Sequence, residues 1–276
     1  MYPLLRPLLF SLAPETAHHL ALSGLHASLA VPGVAGLLRR WARPAARPVK
    51  LMGLDFAHPV GLAAGFDKNA AHVHALAALG FAFIEVGSVT AQPAQGNARP
   101  RLFRLPEDQA LINRMGLNNE GAQAVATRIQ GLRATGPLPV PLFINVAKTH
   151  DPTLSGDAAI ADYAASVRQL QGRADVVVIN ISCPNSGDGR TFEDPELLAP
   201  LLAEVRPLVD AARPLLVKLS PDLPDATLDR VIDTALDAGV TGFTATNTSV
   251  DRSRLKTPPA QLERIGAGGL SGRPLT

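Results

Sequence analysis

The stretch Val176-Val-Val-Ile-Asn-Ile-Ser-Cys-Pro-Asn185 decides the fold class of this 276-residue chain. Its run of β-branched apolar residues predicts a strand buried on both faces, which is typical of parallel sheets. The strand is followed closely by Asn180, Cys183 and Asn185, whose side chains are suited to ligand binding. The stretch therefore predicts an α/β fold with a site at the carboxyl end of this strand.

The same pattern recurs along the chain. Strands are predicted at Pro59–Ala64, Ala82–Gly87, Leu142–Ala147, Val176–Ser182, Leu215–Leu219 and Gly242–Thr246. Amphipathic helices are predicted between them at Ala70–Leu79, Glu120–Ala134, Ala158–Gln171, Pro195–Ala212 and Pro224–Ala238. This alternation predicts a parallel sheet, either closed into a barrel or doubly wound.

The strand ends favour the barrel. Polar side chains follow nearly every predicted strand, namely Asp67 and Lys68, Ser88, Asn145 and Lys148, Asn180, Lys218, and Thr246 to Thr248. A barrel collects its active site from many strand ends, whereas a doubly wound sheet uses mainly one switch point. We therefore predict a (β/α)8 TIM-type barrel. Because only about six units precede Thr276, we expect the chain to lack the last two units of a longer protein.

The N-terminal region differs from the barrel. Residues 1–42 are predicted to form a helical extension, 43–48 a proline-rich linker and 49–276 the barrel. The stretch between Glu15 and Arg39 carries no formal charge and is long enough to span a bilayer. Polar residues and Pro32-Gly33 interrupt it, so we expect short surface helices that either cap the barrel or lie on a membrane.

The composition argues against several functions. A net charge of +2 and 4% aromatic residues do not fit a nucleic-acid binder. The single cysteine excludes an internal disulfide and a thiolate-rich metal site, and the histidine spacing predicts no metal site. The chain has no phosphate-binding Walker loop, dinucleotide fingerprint or nucleophile elbow.

Lysines and asparagines at the strand ends indicate an anionic or electron-rich planar ligand. Lys68 and Lys218 follow apolar strands, where an ammonium group needs such a partner, whereas Lys148 is a weaker candidate that could point to solvent. A carboxamide such as that of Asn145 offers both donor and acceptor, as the edge of a pyrimidine or an isoalloxazine requires. Cys183 suits a thiol that removes a proton, although a lone cysteine is most often a buried apolar residue.

Eight motifs extend this interpretation. They are Gly61-Leu-Ala-Ala-Gly-Phe-Asp-Lys-Asn69, Gly87-Ser-Val-Thr90, Gly96-Asn-Ala-Arg-Pro-Arg-Leu-Phe-Arg-Leu105, Asn113-Arg-Met-Gly-Leu-Asn-Asn119, Asn180-Ile-Ser-Cys-Pro-Asn185, Val217-Lys-Leu-Ser-Pro-Asp222, Ala245-Thr-Asn-Thr248 and Gly268-Gly-Leu-Ser-Gly-Arg-Pro274. In this order they resemble the quinone-dependent, class 2 dihydroorotate dehydrogenases over nearly the whole chain. An N-terminal helical extension also distinguishes that class from its soluble relatives.

The resemblance implies an FMN-dependent oxidoreductase that converts (S)-dihydroorotate to orotate in pyrimidine biosynthesis and passes the electrons to a membrane quinone. It implies FMN contacts from Ala64, Gly65, Phe66, Asp67, Lys68, Ser88, Asn145, Asn180, Lys218, Thr246 and Gly272. It implies substrate contacts from Lys68, Asn113, Arg114, Met115, Gly116, Leu117, Asn180, Asn185, Asn247 and Thr248. The expected location is peripheral, on the cytoplasmic face of the inner membrane, without a nucleic-acid or metal partner.

The chain departs from the class 2 pattern at the predicted base. Class 2 members usually have serine at the position of Cys183, and cysteine is typical of the soluble class 1 enzymes. We predict Cys183 as the base because a thiol ionises closer to neutral pH than a hydroxyl. Ser88 replaces the more usual threonine and keeps the hydroxyl. Without the last units, we expect weak FMN binding and aggregation through the open sheet edge.

Three alternatives follow from these departures. A class 1 dihydroorotate dehydrogenase would use fumarate or NAD as the acceptor, and a dihydrouridine synthase would act on RNA. The helical extension and the motif beginning at Asn113 favour a quinone instead, and the modest charge disfavours RNA. The third alternative is a non-catalytic remnant that keeps a binding role.

Overall fold

A computed structural model describes residues 2–42, 45, 47–182 and 191–275. Its centre is a five-stranded parallel sheet in the order β3-β6-β7-β8-β9. These strands are Ile84–Val89 (β3), Leu142–Val146 (β6), Val176–Asn180 (β7), Leu215–Leu219 (β8) and Gly242–Ala245 (β9). Leu62 adds a parallel bridge to Ile84, so the segment around it occupies a sixth strand position. The architecture is the predicted α/β TIM-type barrel.

Helices cover one face of this sheet. They are Val73–Ala78 (α4), Ala122–Ala134 (α5), Gly156–Leu170 (α6), Pro195–Val205 (α7) and Asp225–Asp237 (α8). One residue in two along each strand packs against them, as Val86, Ile144 and Val217 do. The resulting core is almost wholly apolar, which explains the β-branched strand sequences.

The opposite face of the sheet is closed at the amino ends of the strands. A hairpin of β1 (Val49–Leu51) and β2 (Leu54–Phe56) lies there. Phe56 packs with Phe83 and Phe143, whose ring centroids are 5.7 and 6.3 Å from its own. These rings form an apolar floor beneath the site.

A small antiparallel sheet stands beside those carboxyl ends. Its strands are Leu102–Leu105 (β4), Ala110–Asn113 (β5) and Gly269–Gly272 (β10), in the order β10-β5-β4. Helix α9, at Pro259–Ile265, packs on it through Ile265 and Leu262. Sequence reasoning predicted neither this sheet nor the hairpin, because their strands of three or four residues show too little alternation.

Three helices form the N-terminal region, α1 (Tyr2–Ser11), α2 (Pro14–Leu29) and α3 (Val34–Ala42). Glu15 connects this region to the barrel, since its carboxylate accepts a hydrogen bond from Arg101 Nε at 3.1 Å and forms an ion pair with Arg99 Nε at 3.2 Å. Arg104 donates to the backbone oxygens of Leu12 at 2.7 Å and Leu9 at 3.2 Å. The helices are therefore docked on the small sheet through charged and polar contacts.

Apolar side chains remain exposed on the N-terminal helices, with Leu4 at 84%, Leu37 at 67% and Trp41 at 73% exposure. None of the described helices alone has the length and hydropathy to cross a bilayer. Helices α2 and α3 pass that test only as a pair, and they are bent by 118° at their junction.

Most predicted elements differ from the structure by one or two residues at an end, and three differ by more. The segment Pro59–Ala64 is not a regular strand and pairs only through the bridge at Leu62. Helix α4 begins at Val73 instead of Ala70, because the backbone before it turns around the side chain of Asp67. Helix α7 ends at Val205 instead of Ala212, since Pro207 lacks the N–H that a continuing helix needs.

Histidines connect α2 to the turn before α4. His26 Nε2 and His72 Nδ1 are 2.6 Å apart, and the His18 ring meets the Phe66 ring edge-on at 4.7 Å. Burial lowers the pKa of His72 below its usual value; Asp67 opposes this shift, whereas His26, His19 and Arg128 add to it. Burial likewise lowers the pKa of His18, with further lowering from His19 and His72 and opposition from Asp67 and the Phe66 backbone.

These pKa shifts predict loss of stability in mild acid. A histidine whose folded-state pKa is lowered disfavours protonation, so its contribution is complete above about pH 6.5 and is lost as the pH falls through the folded-state pKa. We expect thermal unfolding midpoints to fall between about pH 7.5 and about pH 5.5, and His72→Gln to flatten that dependence. His74→Gln, on the exposed face of α4, is the matched control. If the unfolding midpoints of wild type and His72→Gln fall in parallel as the pH is lowered, His72 is not a cause of the acid sensitivity.

Candidate active site

A layer of buried polar side chains lies directly above the apolar floor. It contains Glu85 on β3, Asn145 on β6, Asn180 on β7 and Lys218 on β8, each at most 7% exposed. Each lies two residues beyond an apolar residue such as Phe83, Phe143, Val178 or Leu216. Because strand side chains alternate between faces, all four share the face that is closed below by the hairpin.

A continuous chain of hydrogen bonds crosses this layer. The Glu85 carboxylate accepts from Asn145 Nδ2 at 2.8 Å and from the backbone N–H of Ala64 at 3.3 Å. Ser88 Oγ donates to Asn145 Oδ1 at 2.5 Å and accepts from Asn180 Nδ2 at 3.0 Å. The chain therefore joins three neighbouring strands at the depth where a ligand would rest.

The chain of hydrogen bonds continues to the loop after β9. Asn247 Nδ2 donates to the backbone oxygen of Ser182 at 2.9 Å and lies 3.5 Å from Asn180 Oδ1. Its Oδ1 accepts from the backbone N–H of Thr248 at 2.8 Å. Thr246 is exposed at the rim, and its hydroxyl donates to the backbone oxygen of Asn247. The structure thus brings together most of the predicted site residues from these strand ends.

Lys218 adds a cation to the layer. It pairs in register with Asn180 on one side and Thr244 on the other, and it is 7% exposed. Within residues 2–182 and 191–275, its Nζ has no hydrogen-bond or ion-pair partner. Burying an ammonium group is costly without an electron-rich partner, so this position fits an anionic or polarisable ligand.

The loop that contains Ala64 to Lys68 forms the wall next to β3. Gly65 has a φ of +103°, which favours glycine, and its N–H donates to the Gly87 oxygen at 2.8 Å. The Asp67 carboxylate is buried and accepts from the backbone N–H groups of Ala71 and His72 at 3.0 and 2.7 Å. Asp67 therefore shapes this loop, whereas Lys68 reaches across it to Asn118 Oδ1 at 3.0 Å.

The predicted substrate segment 113–117 extends from the end of β5. Asn113 Nδ2 donates to the Gly269 oxygen at 3.4 Å. Arg114 donates to the Ile265, Ala267 and Pro100 oxygens and stacks over a phenylalanine ring, so its guanidinium binds loops together. Gly116 has a φ of +70° and packs against Asn97, where a side chain would collide. Met115 and Leu117 are half-buried beside these residues.

Several other predicted residues have different surroundings. Gly272 lies on β10, paired with Ala110 and outside the hydrogen-bond chain described above. Lys148 does not point to solvent, because it is buried and donates to the Asp151 and Leu154 oxygens. Cys183 and Asn185 lie outside the described residues.

Sequence reasoning missed Glu85 of this layer and also Ser182, whose hydroxyl donates to Asn180 Oδ1 at 3.3 Å. Glu85 had a detectable signal, since it is the only charged residue in the apolar run Phe81-Ala-Phe-Ile-Glu-Val-Gly87. Lone charges in buried strands are rare unless they are partnered. Ser182 had no such signal. Within the described ranges, no cluster of three or more acidic, histidine or cysteine side chains could hold a metal ion.

The chain matches a protein-family model described as dihydroorotate dehydrogenase over residues 47–276. It is 47% identical to the dihydroorotate dehydrogenase (quinone) of Thermobifida fusca, over 95% of this chain and 70% of that protein. It is 48% identical to the enzyme of the same name from Anaeromyxobacter dehalogenans, over all of this chain and 74% of that protein.

Solved structures agree with this similarity. A ligand-free DHODH from Eimeria tenella is 32% identical to this chain with a TM-score of 0.76, covering 95% of this chain and 75% of that one. The same protein in complex with ferulenol is 31% identical with a TM-score of 0.75, over 95% and 73% of the two chains.

Removing the Ser88 hydroxyl should test the hydrogen-bond chain. Ser88→Ala leaves Asn145 Oδ1 without its donor and Asn180 Nδ2 without its acceptor, so we expect a loss of about 1–3 kcal/mol in unfolding free energy, measured with urea. Ser166→Ala is the matched control, because the buried Ser166 hydroxyl has no hydrogen-bond partner in the described part of the chain. Equal losses of unfolding free energy in the two variants would argue against the proposed chain of hydrogen bonds.

Proposed function

The chain belongs to the dihydroorotate dehydrogenase family, and from this premise we propose that it is a quinone-dependent, flavin-containing member that oxidises dihydroorotate to orotate in pyrimidine biosynthesis. The reaction removes two electrons and two protons from the substrate and delivers them to a quinone, which becomes a quinol. The observation that carries the proposal is the buried layer of Asn145, Asn180 and Lys218 above a sealed apolar floor.

We propose FMN as the flavin, and the residues present fit it. Asn145 and Asn180 each use one amide hydrogen within the described residues, which leaves the other for ligand oxygens or ring nitrogens. Lys218 supplies a buried positive charge next to them. Bound FMN would supply a two-electron acceptor that can be reoxidised by a quinone. Ala64 to Lys68, Ser88, Thr246 and Gly272 are the further proposed contacts.

Dihydroorotate would bind on the side of the segment after β5. Its carboxylate and imide groups need both cationic and amide partners, which Lys68, Asn247 and Thr248 can provide together with residues 113–117, Asn180 and Asn185. Cys183 is the proposed base, which takes the proton from the carbon next to the one that loses hydride. Asn247 and Asn180, already hydrogen-bonded to the residue before Cys183, would hold that loop in place.

The quinone would approach from the N-terminal helices. A cavity of about 480 Å³ lies between α1 and the small sheet, lined by Phe10, Arg104, Leu111 and Gly272 among others. The Phe10 ring lies 4.7 Å from the Arg104 guanidinium and 4.9 Å from that of Arg6. An apolar slot with cationic groups suits a ring that has two carbonyl oxygens and an apolar tail. Gly272, which is one of the proposed FMN contacts, also lines this slot.

We propose peripheral attachment to the cytoplasmic face of the inner membrane through residues 1–42. The exposed Leu37 and Trp41 lie on α3 beside Arg39 and Arg40, and this combination is typical of helices that bind a bilayer surface. Residues 43–48 would then be the linker to the barrel, 49–276. Such attachment would give the cavity direct access to quinone dissolved in lipid.

Separate assays with each acceptor test the function. In the presence of saturating FMN, we expect the purified protein to oxidise dihydroorotate with a soluble ubiquinone or menaquinone analogue and to be much slower with fumarate or NAD. Arg104→Met should raise the KM for quinone and leave the KM for dihydroorotate unchanged. Fumarate or NAD as the preferred acceptor would contradict quinone dependence, and no turnover with any acceptor would favour the non-catalytic alternative.

Cys183 can be tested by its effect on rate and pH dependence. Cys183→Ala should lower kcat by a factor of about 100 to 10,000, the usual contribution of a general base. Cys183→Ser should retain part of the activity and need a higher pH, because a hydroxyl ionises less readily than a thiol. Both variants should still bind FMN. An alanine variant with wild-type turnover would exclude Cys183 as the base.

A further inference from the structure

Glu85 is the only member of the buried layer that cannot donate a hydrogen bond as a carboxylate, and this fixes the direction of every bond that follows. Its two oxygens accept from Ala64 N and Asn145 Nδ2. The amide nitrogen of Asn145 must therefore face Glu85, and its oxygen must face Ser88. Ser88 then donates its single hydroxyl hydrogen to Asn145 Oδ1.

The same logic continues one strand further. Because the Ser88 hydrogen is used, Ser88 Oγ can only accept from Asn180, so the Asn180 nitrogen faces Ser88 and its oxygen faces Ser182 and Asn247. Within the described residues, the amide hydrogens left over belong to Asn145 and Asn180. The layer thus presents donors to its ligand.

We propose that Glu85 is a positioning residue that sets the hydrogen-bond direction of Asn145 and Ser88, in agreement with the direction that the Ser182 backbone N–H imposes on Asn180, so that the site selects ligand atoms that accept hydrogen bonds. The inference rests on the proposed flavin site and deepens it. The carbonyl oxygens and unprotonated ring nitrogens of an oxidised isoalloxazine are such acceptors. Glu85 also holds the Ala64 backbone at the start of the flavin loop.

Glu85→Gln should reverse the orientation of the Asn145 carboxamide. The carboxamide oxygen of the introduced glutamine would still be needed by the Ala64 N–H, so its NH₂ group would face Asn145. Asn145 would then offer its oxygen to that NH₂ group and its nitrogen to Ser88. Asn180 would keep its orientation, because the backbone N–H of Ser182 donates to its oxygen at 3.3 Å, so the Ser88 oxygen would face two donors and its own hydrogen would lose its acceptor. A substitution that barely changes shape would thus move the spare amide hydrogen of Asn145 and leave the Ser88 hydroxyl without its partner.

The experiment is a titration of each full-length apoprotein with FMN, followed by flavin fluorescence, at a temperature where every variant is folded by circular dichroism. We expect Glu85→Gln to weaken FMN binding by a factor of about 10 to 100, as for the loss of one or two hydrogen bonds. The absorption spectrum of the bound flavin should also change. Asp175→Asn is the matched control, because the Asp175 carboxylate accepts from Leu142 N–H at 2.7 Å at the opposite end of the sheet. Its FMN affinity should equal that of wild type.

A charge-conserving swap separates bond direction from loss of charge. In the double variant Glu85→Gln/Asn145→Asp, the carboxylate introduced on β6 accepts from both the introduced glutamine and Ser88, which restores the original direction of the Ser88 hydroxyl. We expect the double variant to bind FMN more tightly than Glu85→Gln alone. Equal FMN affinities of Glu85→Gln and the double variant would overturn the role of Glu85 but not the proposed function. The same holds if Glu85→Gln has the FMN affinity and flavin spectrum of wild type. A wild-type protein that binds no FMN would overturn the proposed function as well.

Discussion

Buried polar groups must be hydrogen-bonded or paired, because each one left alone costs several kilocalories per mole. The carboxyl ends of β3, β6, β7 and β8 bring a carboxylate, two carboxamides, a hydroxyl and an ammonium group into one buried layer. Glu85, Asn145, Ser88 and Asn180 satisfy one another in a single chain of bonds. Among the groups of this layer, only the ammonium group of Lys218 lacks a partner within the described residues, and the proposed ligand would supply one.

This requirement also explains the apolar floor. The rings of Phe56, Phe83 and Phe143 close the polar layer from below, at the amino ends of the strands. In such surroundings a hydrogen bond is stronger than in water, and its direction is harder to reverse. The hairpin that contributes Phe56 therefore supports the site without touching a ligand.

The N-terminal helices and the proposed flavin loop form a second connected unit. Asp67 organises the turn before α4, His72 in that turn meets His26 of α2, and Phe66 meets His18. On the other side, Glu15 and Arg104 connect the same helices to the small sheet. A quinone that enters between the helices and this sheet would be close to groups that also shape the flavin loop.

The sequence alone determined the parallel α/β core, the helical N-terminal region and the polar strand ends, because β-branched runs and strand-end residues are local signals. The strand Leu215–Leu219 was predicted with its observed bounds. The hairpin, the small sheet and the role of Glu85 depended on tertiary structure. Short strands are stable only when paired with distant segments, as β5 is with β10, and a buried carboxylate is tolerated only where neighbouring strands supply donors. The sequence shows that the carboxylate and its potential hydrogen-bond donors exist, but only the register of the strands decides which of these side chains form hydrogen bonds.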